Sequence, residues 1–375
     1  MGSEKTVSEN RIQWIDLAKF LAILLVVLNH AVESSFSRAD SAMDLSSCDG
    51  KVVYLFLFAL ARLGVPVFLM ISGYLLLDRD WDREKVRKFW TGSWLHLLIC
   101  TEIWTVLYNI FLWLFNGTEI KLRNLVEEML FVRAGSMPHM WFMPMLIGVY
   151  LLIPFAGMAL KKLNGKLLVF PLLFYGIYCL AYPLANIASG DLTGQWLSLQ
   201  IKTGFSGAHY GIYVILGYVI RKGYLKKINS FIIAAAACAG MAAATWFQAW
   251  TYTQPVRYNV WYDDLFLAVA ALAATELLSR IRHVNGAEVF RFLARYTFSV
   301  YLIHYIILLA VKRVFSAGAY GAPFRVAVSF IIPAAGSFAA GWLISLIPKA
   351  GNYVLYIKDG RTSRSEERRV GKECR

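Results

Sequence analysis

The chain has 375 residues, of which 58% are hydrophobic, 15% aromatic and only 17% charged, and its mean hydropathy is +0.53. Apolar runs close to span length recur along all of it, which excludes an ordinary soluble domain and predicts a polytopic membrane protein. The formal net charge of +14 does not point to nucleic acid, because Lys and Arg fall in short clusters between apolar spans and read as topology signal.

In chain order, the first eleven residues are polar and lack a small-residue cleavage site, so the first span is expected to be retained. That span contains Asp16, Lys19, Asn29 and His30. Lys19 and His30 are eleven positions apart, which on a helix is about three turns and roughly 16 Å, on one face. Ionisable groups at membrane depth are costly and mark functional sites; the alternative is anchoring, with Lys19 snorkelling to one edge and His30 at the other. Glu33 follows one turn beyond His30. Ten spans are expected, at about 14–33, 52–77, 89–115, 140–160, 167–187, 208–220, 229–250, 261–279, 296–311 and 325–347. The connections after even-numbered spans carry the Lys and Arg clusters, while residues 34–50 are Ser- and Asp-rich, so both termini are expected in the cytoplasm.

Further polar groups interrupt the later spans. Arg62 precedes a Gly64-Val65-Pro66 break and Ser72-Gly73-Tyr74, reading either as a kinked, cavity-lining helix or as packing with Arg62 snorkelling outward. His96 and Glu102 make no recognisable constellation. Over residues 117–135, the spacing of Leu122, Leu125, Val126, Leu130 and Phe131 predicts a short interfacial helix. His139-Met140-Trp141-Phe142 and His209-Tyr210 suit either sugar stacking or an aromatic belt. Asp263 and Asp264 read as a solvated helix start or a metal or substrate contact. Ser299-Val300-Tyr301-Leu302-Ile303-His304 places a second histidine at mid-membrane depth. The five cysteines (Cys48, Cys100, Cys179, Cys238, Cys374) are scattered, so neither a metal site nor a disulfide framework is expected. Residues 364–374 read as the in-frame translation of a sequencing-library adapter and are set aside. The expected fold is all-α, a transmembrane helical bundle over residues 14–347, with cytoplasmic tails at 1–13 and 348–375.

Together these motifs resemble the membrane acyltransferase-3 family over residues 11 to about 347. The resemblance rests on Arg11 with Asp16 and Lys19, on a basic residue, ten positions and a histidine (Lys19 and His30), on Arg62-x-Gly-Val-Pro-x-Phe followed by Ser72-Gly73-Tyr74, on Trp141-Phe142 with Tyr150 and Pro154, and on Ser299-x-Tyr301-x-x-His304. Lys19 stands where the family commonly has Arg, and no SGNH-type domain is appended. The resemblance implies an integral-membrane O-acyltransferase of the bacterial inner membrane. It would move an acyl group, most simply acetyl, from cytoplasmic acyl-CoA to a hydroxyl of an extracytoplasmic glycan or lipid-linked sugar. His30 would be the general base, oriented or charge-balanced by Glu33 or Asp16. Lys19, Arg11 and Arg62 would hold the CoA phosphates, with Arg62 alternatively on the thioester oxyanion. Ser72, Tyr74, His139, Trp141, Tyr301 and His304 would line the cavity. It also implies acyl-CoA as co-substrate, no tightly bound cofactor, no metal and no nucleic-acid partner. The same fold family includes serine-carrier-like and polysaccharide-exporter relatives, so a transporter is the alternative.

Overall fold

The computed structural model describes residues 12–37, 43–46, 48–162, 165–197, 208–315, 320–347 and 350–357. Arg11 and residues 358–375, the adapter-like run included, lie outside the described residues. The chain is all-helical, with no strand among the described residues. Among the described residues, eight helical segments are long and apolar enough to cross a membrane, so this is a multi-pass membrane protein. Two more of the expected spans form shorter helices, α10 (Ala208–Lys222) and α12 (Leu265–Ser279), inside the bundle.

The hub is α1 (Gln13–Phe36). At 24 residues it is about 36 Å long, enough for the hydrocarbon core of a bilayer. It packs against α2 (Lys51–Ala61), α3 (Gly64–Leu76), α12, α13 (Ala287–Arg295), α14 (Thr297–Val314) and α15 (Ala322–Ser345). The second span breaks at Arg62-Leu63 because Pro66 has no N–H to give the Arg62 carbonyl, and the helix restarts with Val67 bonding Leu63 at 3.1 Å.

Glycine sets the closest helix contact. A Cβ on Gly73 of α3 would lie 1.8 Å from the Val214 carbonyl oxygen of α10, and one on Gly217 of α10 would lie 2.0 Å from that of Met70. The two helices therefore touch backbone to backbone, the contact that small residues permit in membrane bundles.

The remaining elements form the periphery. A π-helical turn (Trp90–Trp94) joins α4 (Arg83–Phe89) to α5 (Leu95–Asn116), and another (Ile177–Ala181) joins α8 (Val169–Gly176) to α9 (Tyr182–Thr193). The short helix expected near 117–135 is α6 (Leu122–Met129), and the turn Pro138–Trp141 opens α7 (Phe142–Lys162). α11 (Ser230–Thr251) packs on α12. Asp264 caps α12, its carboxylate accepting from the Leu267 amide at 2.8 Å and from the Tyr258 hydroxyl at 3.1 Å. It is fully buried, so Tyr258 takes the place of the water a solvated helix start would have.

Beyond α15, the chain turns back through α16 (Ala350–Tyr353) instead of trailing away. Leu355 and Ile357 are buried, and the Val354 carbonyl accepts from Trp104 Nε1 of α5 at 2.6 Å. Tyr356 donates to the Ser93 carbonyl at 2.9 Å, and the His96 ring packs on Tyr353 and Tyr356.

Replacing Gly73 or Gly217 by Ala should drive α3 and α10 apart at a cost of roughly 1–3 kcal/mol. Gly148→Ala, where a Cβ would meet nothing within 4 Å, serves as control. Thermal unfolding of the three variants in one detergent checks this: a melting temperature unchanged in all three contradicts the packing.

Candidate active site

The site begins on α1. His30 and Glu33 are separated by three positions and share a helix face, and the His30 Nδ1–H donates to Glu33 Oε2 at 3.2 Å. An ionised carboxylate only accepts, so in the neutral imidazole Nδ1 carries the proton and Nε2 the lone pair.

Two further imidazoles stand beside it. His139 comes from the turn that opens α7 and His304 from the middle of α14. The His30 and His304 rings are stacked with centres 5.4 Å apart, those of His139 and His304 are 5.1 Å apart, and those of His30 and His139 are 6.1 Å apart. Both added histidines are buried, at 1% and 0% exposure, and Tyr305 stacks on His139 at 4.9 Å.

The surrounding bonds set both tautomers. The His304 Nδ1 lies 2.9 Å from the Val300 carbonyl oxygen and 2.8 Å from that of Tyr301. Carbonyls only accept, so Nδ1 carries the proton and Nε2 the lone pair. The single hydroxyl proton of Tyr108 is given to the Leu302 carbonyl at 2.5 Å, so its oxygen accepts from His139 Nε2–H at 3.1 Å. The lone pair of His139 therefore sits on Nδ1. Neither His139 Nδ1 nor His304 Nε2 has a hydrogen-bond partner, although both are buried.

The turn bearing His139 is fixed from two sides. The Tyr301 hydroxyl donates to the His139 carbonyl at 2.8 Å. Three residues upstream, the Ser136 hydroxyl donates to Glu128 Oε1 at 2.7 Å, and Asn109 Nδ2 of α5 donates to Glu128 Oε2 at 3.1 Å.

Arg62 lies next to this centre. Gly64 packs against Ala22 and Val26, which puts Arg62 toward the His30 half of α1. The residue is buried, its guanidinium 4.5 Å from the Phe58 ring centre and 4.4 Å from that of Trp261. It donates to the Tyr262 hydroxyl at 3.3 Å, while its Nε has no partner. Among the described residues no carboxylate forms an ion pair with it, though its charge acts through space on Glu33. Trp141 completes the aromatic shell, 5.5 Å from Trp261 and 5.4 Å from Tyr262.

Lys19 and buried Asp16 lie toward the opposite end of α1. Tyr74 belongs to that end, its ring 5.1 Å from Trp14 and 5.3 Å from the Arg221 guanidinium. The Ser72 hydroxyl bonds that of Tyr150 at 2.9 Å. The histidine centre thus gathers His30, Glu33, His139, Tyr301 and His304 with Arg62 and Trp141 at its side, whereas Asp16, Lys19, Ser72 and Tyr74 do not reach it. Among the described residues no group of three or more His, Cys, Asp or Glu is arranged to hold a metal ion.

A family model described as an acyltransferase domain matches residues 12–346. The chain belongs to the acyltransferase-3 family. No curated protein and no solved structure matches it. Tyr108, Glu128 and Tyr305, with Asn109, Ser136, Trp261 and Tyr262, are parts of this acyltransferase's centre that sequence reasoning missed. Tyr108 bears no motif, and its partners are 31 and 194 positions away in the chain.

Tyr108→Phe should strand the His139 N–H and destabilise the fold by roughly 1–3 kcal/mol. It should also release His139 from a single tautomer, visible in the nitrogen resonances of 15N-histidine-labelled protein. An unchanged His139 spectrum contradicts the bond.

Proposed function

We propose that this membrane acyltransferase transfers an acyl group, most simply acetyl, from acyl-CoA to a hydroxyl of an extracytoplasmic glycan or lipid-linked sugar, in the inner membrane of a bacterium. The observation that carries the reading is the His30–Glu33 pair, in which Nδ1 of the imidazole is held on the carboxylate at 3.2 Å. Clusters such as Lys161-Lys162 and Arg221-Lys222 favour a cytoplasmic Lys19 end and an external Glu33 end.

The reaction follows from these roles. His30 Nε2 takes the proton of the acceptor hydroxyl as its oxygen attacks the thioester carbonyl carbon. Glu33, bonded to Nδ1–H, steadies the imidazolium that forms, and Arg62 is the nearest cation for the oxyanion. Collapse of the tetrahedral intermediate breaks the C–S bond, and the thiolate leaves with the proton from His30. The products are an O-acyl ester and free CoA thiol.

Lys19, with Arg11 and with Asp16 as charge balance, would hold CoA phosphates at the other end of α1. The pantetheine arm would then span the roughly 16 Å of three helical turns. The lining side chains Ser72 and Tyr74 of α3 lie along that lower half.

Consumption of labelled acetyl-CoA by membranes carrying the protein tests the reading. His30→Ala should abolish transfer while insertion persists, and Glu33→Gln should slow it roughly a hundredfold. Lys19→Arg should retain more activity than Lys19→Ala, since Arg keeps the charge and adds bidentate geometry for phosphate. Full activity of His30→Ala overturns the mechanism, and uptake of a small polar solute by proteoliposomes without thioester consumption replaces it with transport.

A further inference from the structure

Resting on the acyl-transfer reading, we propose that His304 reads a second hydroxyl of the acceptor, so the site takes a vicinal diol face and not an isolated alcohol. His30 and His304 each commit Nδ1–H to a fixed protein acceptor. Each therefore presents only a lone pair at Nε2, on rings stacked 5.4 Å apart. His139, 5.1 Å from His304, commits Nε2–H to Tyr108 and presents only a lone pair at Nδ1.

The centre is thus rich in acceptors on the nitrogens that remain. Buried acceptors without partners cost free energy, and in native structures they are satisfied by a water or a ligand. His139 Nδ1 and His304 Nε2 are two such atoms, on rings whose centres are 5.1 Å apart. The complementary ligand is one that brings several O–H donors close together.

A single alcohol has one proton to give, and His30 takes it in the reaction. A neighbouring hydroxyl keeps its proton and can donate it to His304 Nε2. With each hydrogen bond spanning about 2.8 Å, two adjacent ring hydroxyls reach nitrogens on rings at this separation. The aromatic shell of Trp141, Trp261 and Tyr262 beside the centre suits the apolar face of the same sugar ring. His304 would then choose which hydroxyl of a glycan is acylated, namely one whose neighbour is free.

The test compares two rigid probes, cis-cyclohexane-1,2-diol and cyclohexanol, on the full-length protein in detergent micelles, read through its 15N-histidine resonances. The wild type should respond to the diol at concentrations about fivefold lower than to cyclohexanol, the value of one added net hydrogen bond. His304→Ala should bring that ratio close to one, and His304→Gln, whose amide oxygen accepts, should restore part of it. Equal response to both probes, no response to either, or an unchanged ratio in His304→Ala overturns the proposal and leaves water as the occupant. Acetyl-CoA consumption is measured separately. Diol preference without it refutes acyl transfer but keeps the polyol site, and consumption without diol preference refutes only the role of His304.

Discussion

The site depends on one constraint: an imidazole carried into an apolar bundle has to find an acceptor for its N–H within the protein. Three imidazoles meet that constraint in the same way. Each spends its one N–H on a neighbour (a carboxylate for His30, two backbone carbonyls for His304, a tyrosine oxygen for His139). Each is left with one basic nitrogen in a known place. A histidine free to exchange tautomers would offer base and donor in turn. Here the surroundings have removed the donor, which is what the roles proposed for His30 and His304 both require.

The partners come from distant parts of the chain, so the site inherits the precision of the helix packing. Tyr108 on α5 links Leu302 on α14 to His139 on α7. The backbone contact of Gly73 and Gly217 holds α3 against α10, and α3 restarts immediately after Arg62. A small shift between these helices would move the guanidinium relative to Glu33. The placement of these side chains and the glycine packing are therefore one problem in this molecule.

Much of this was legible in the sequence. The spacing of Lys19 and His30 and the depth of His304 followed from helical periodicity alone. α6 followed from its apolar spacing, and the break after Arg62 from Pro66. What could not be read was convergence. His139 was legible as a cavity candidate next to aromatic residues, but not its place against His30 and His304, because the turn that carries it is fixed by Glu128, Ser136 and Tyr301. Residues 350–357 look like tail because their burial depends on Trp104, 250 positions earlier. The two short spans expected at 208–220 and 261–279 form α10 and α12, which pack on α3 and α11 respectively; which neighbours cover them could not be read from hydropathy.

Arg62 shows how these levels join. A guanidinium at membrane depth is expensive unless its charge is answered, yet among the described residues no carboxylate forms an ion pair with it and its Nε is unpartnered. Two aromatic faces within 4.5 Å offset part of that cost, and Glu33 supplies an opposite charge at a distance. A direct ion pair would have quenched both groups, leaving Glu33 less able to steady a protonated His30. Kept apart, the two charges would, on the proposed mechanism, stabilise a proton arriving on His30 at one end and an oxyanion at the other. The separation that makes Arg62 costly in the resting protein is the separation that an acyl-transfer transition state, with its own positive and negative ends, would use.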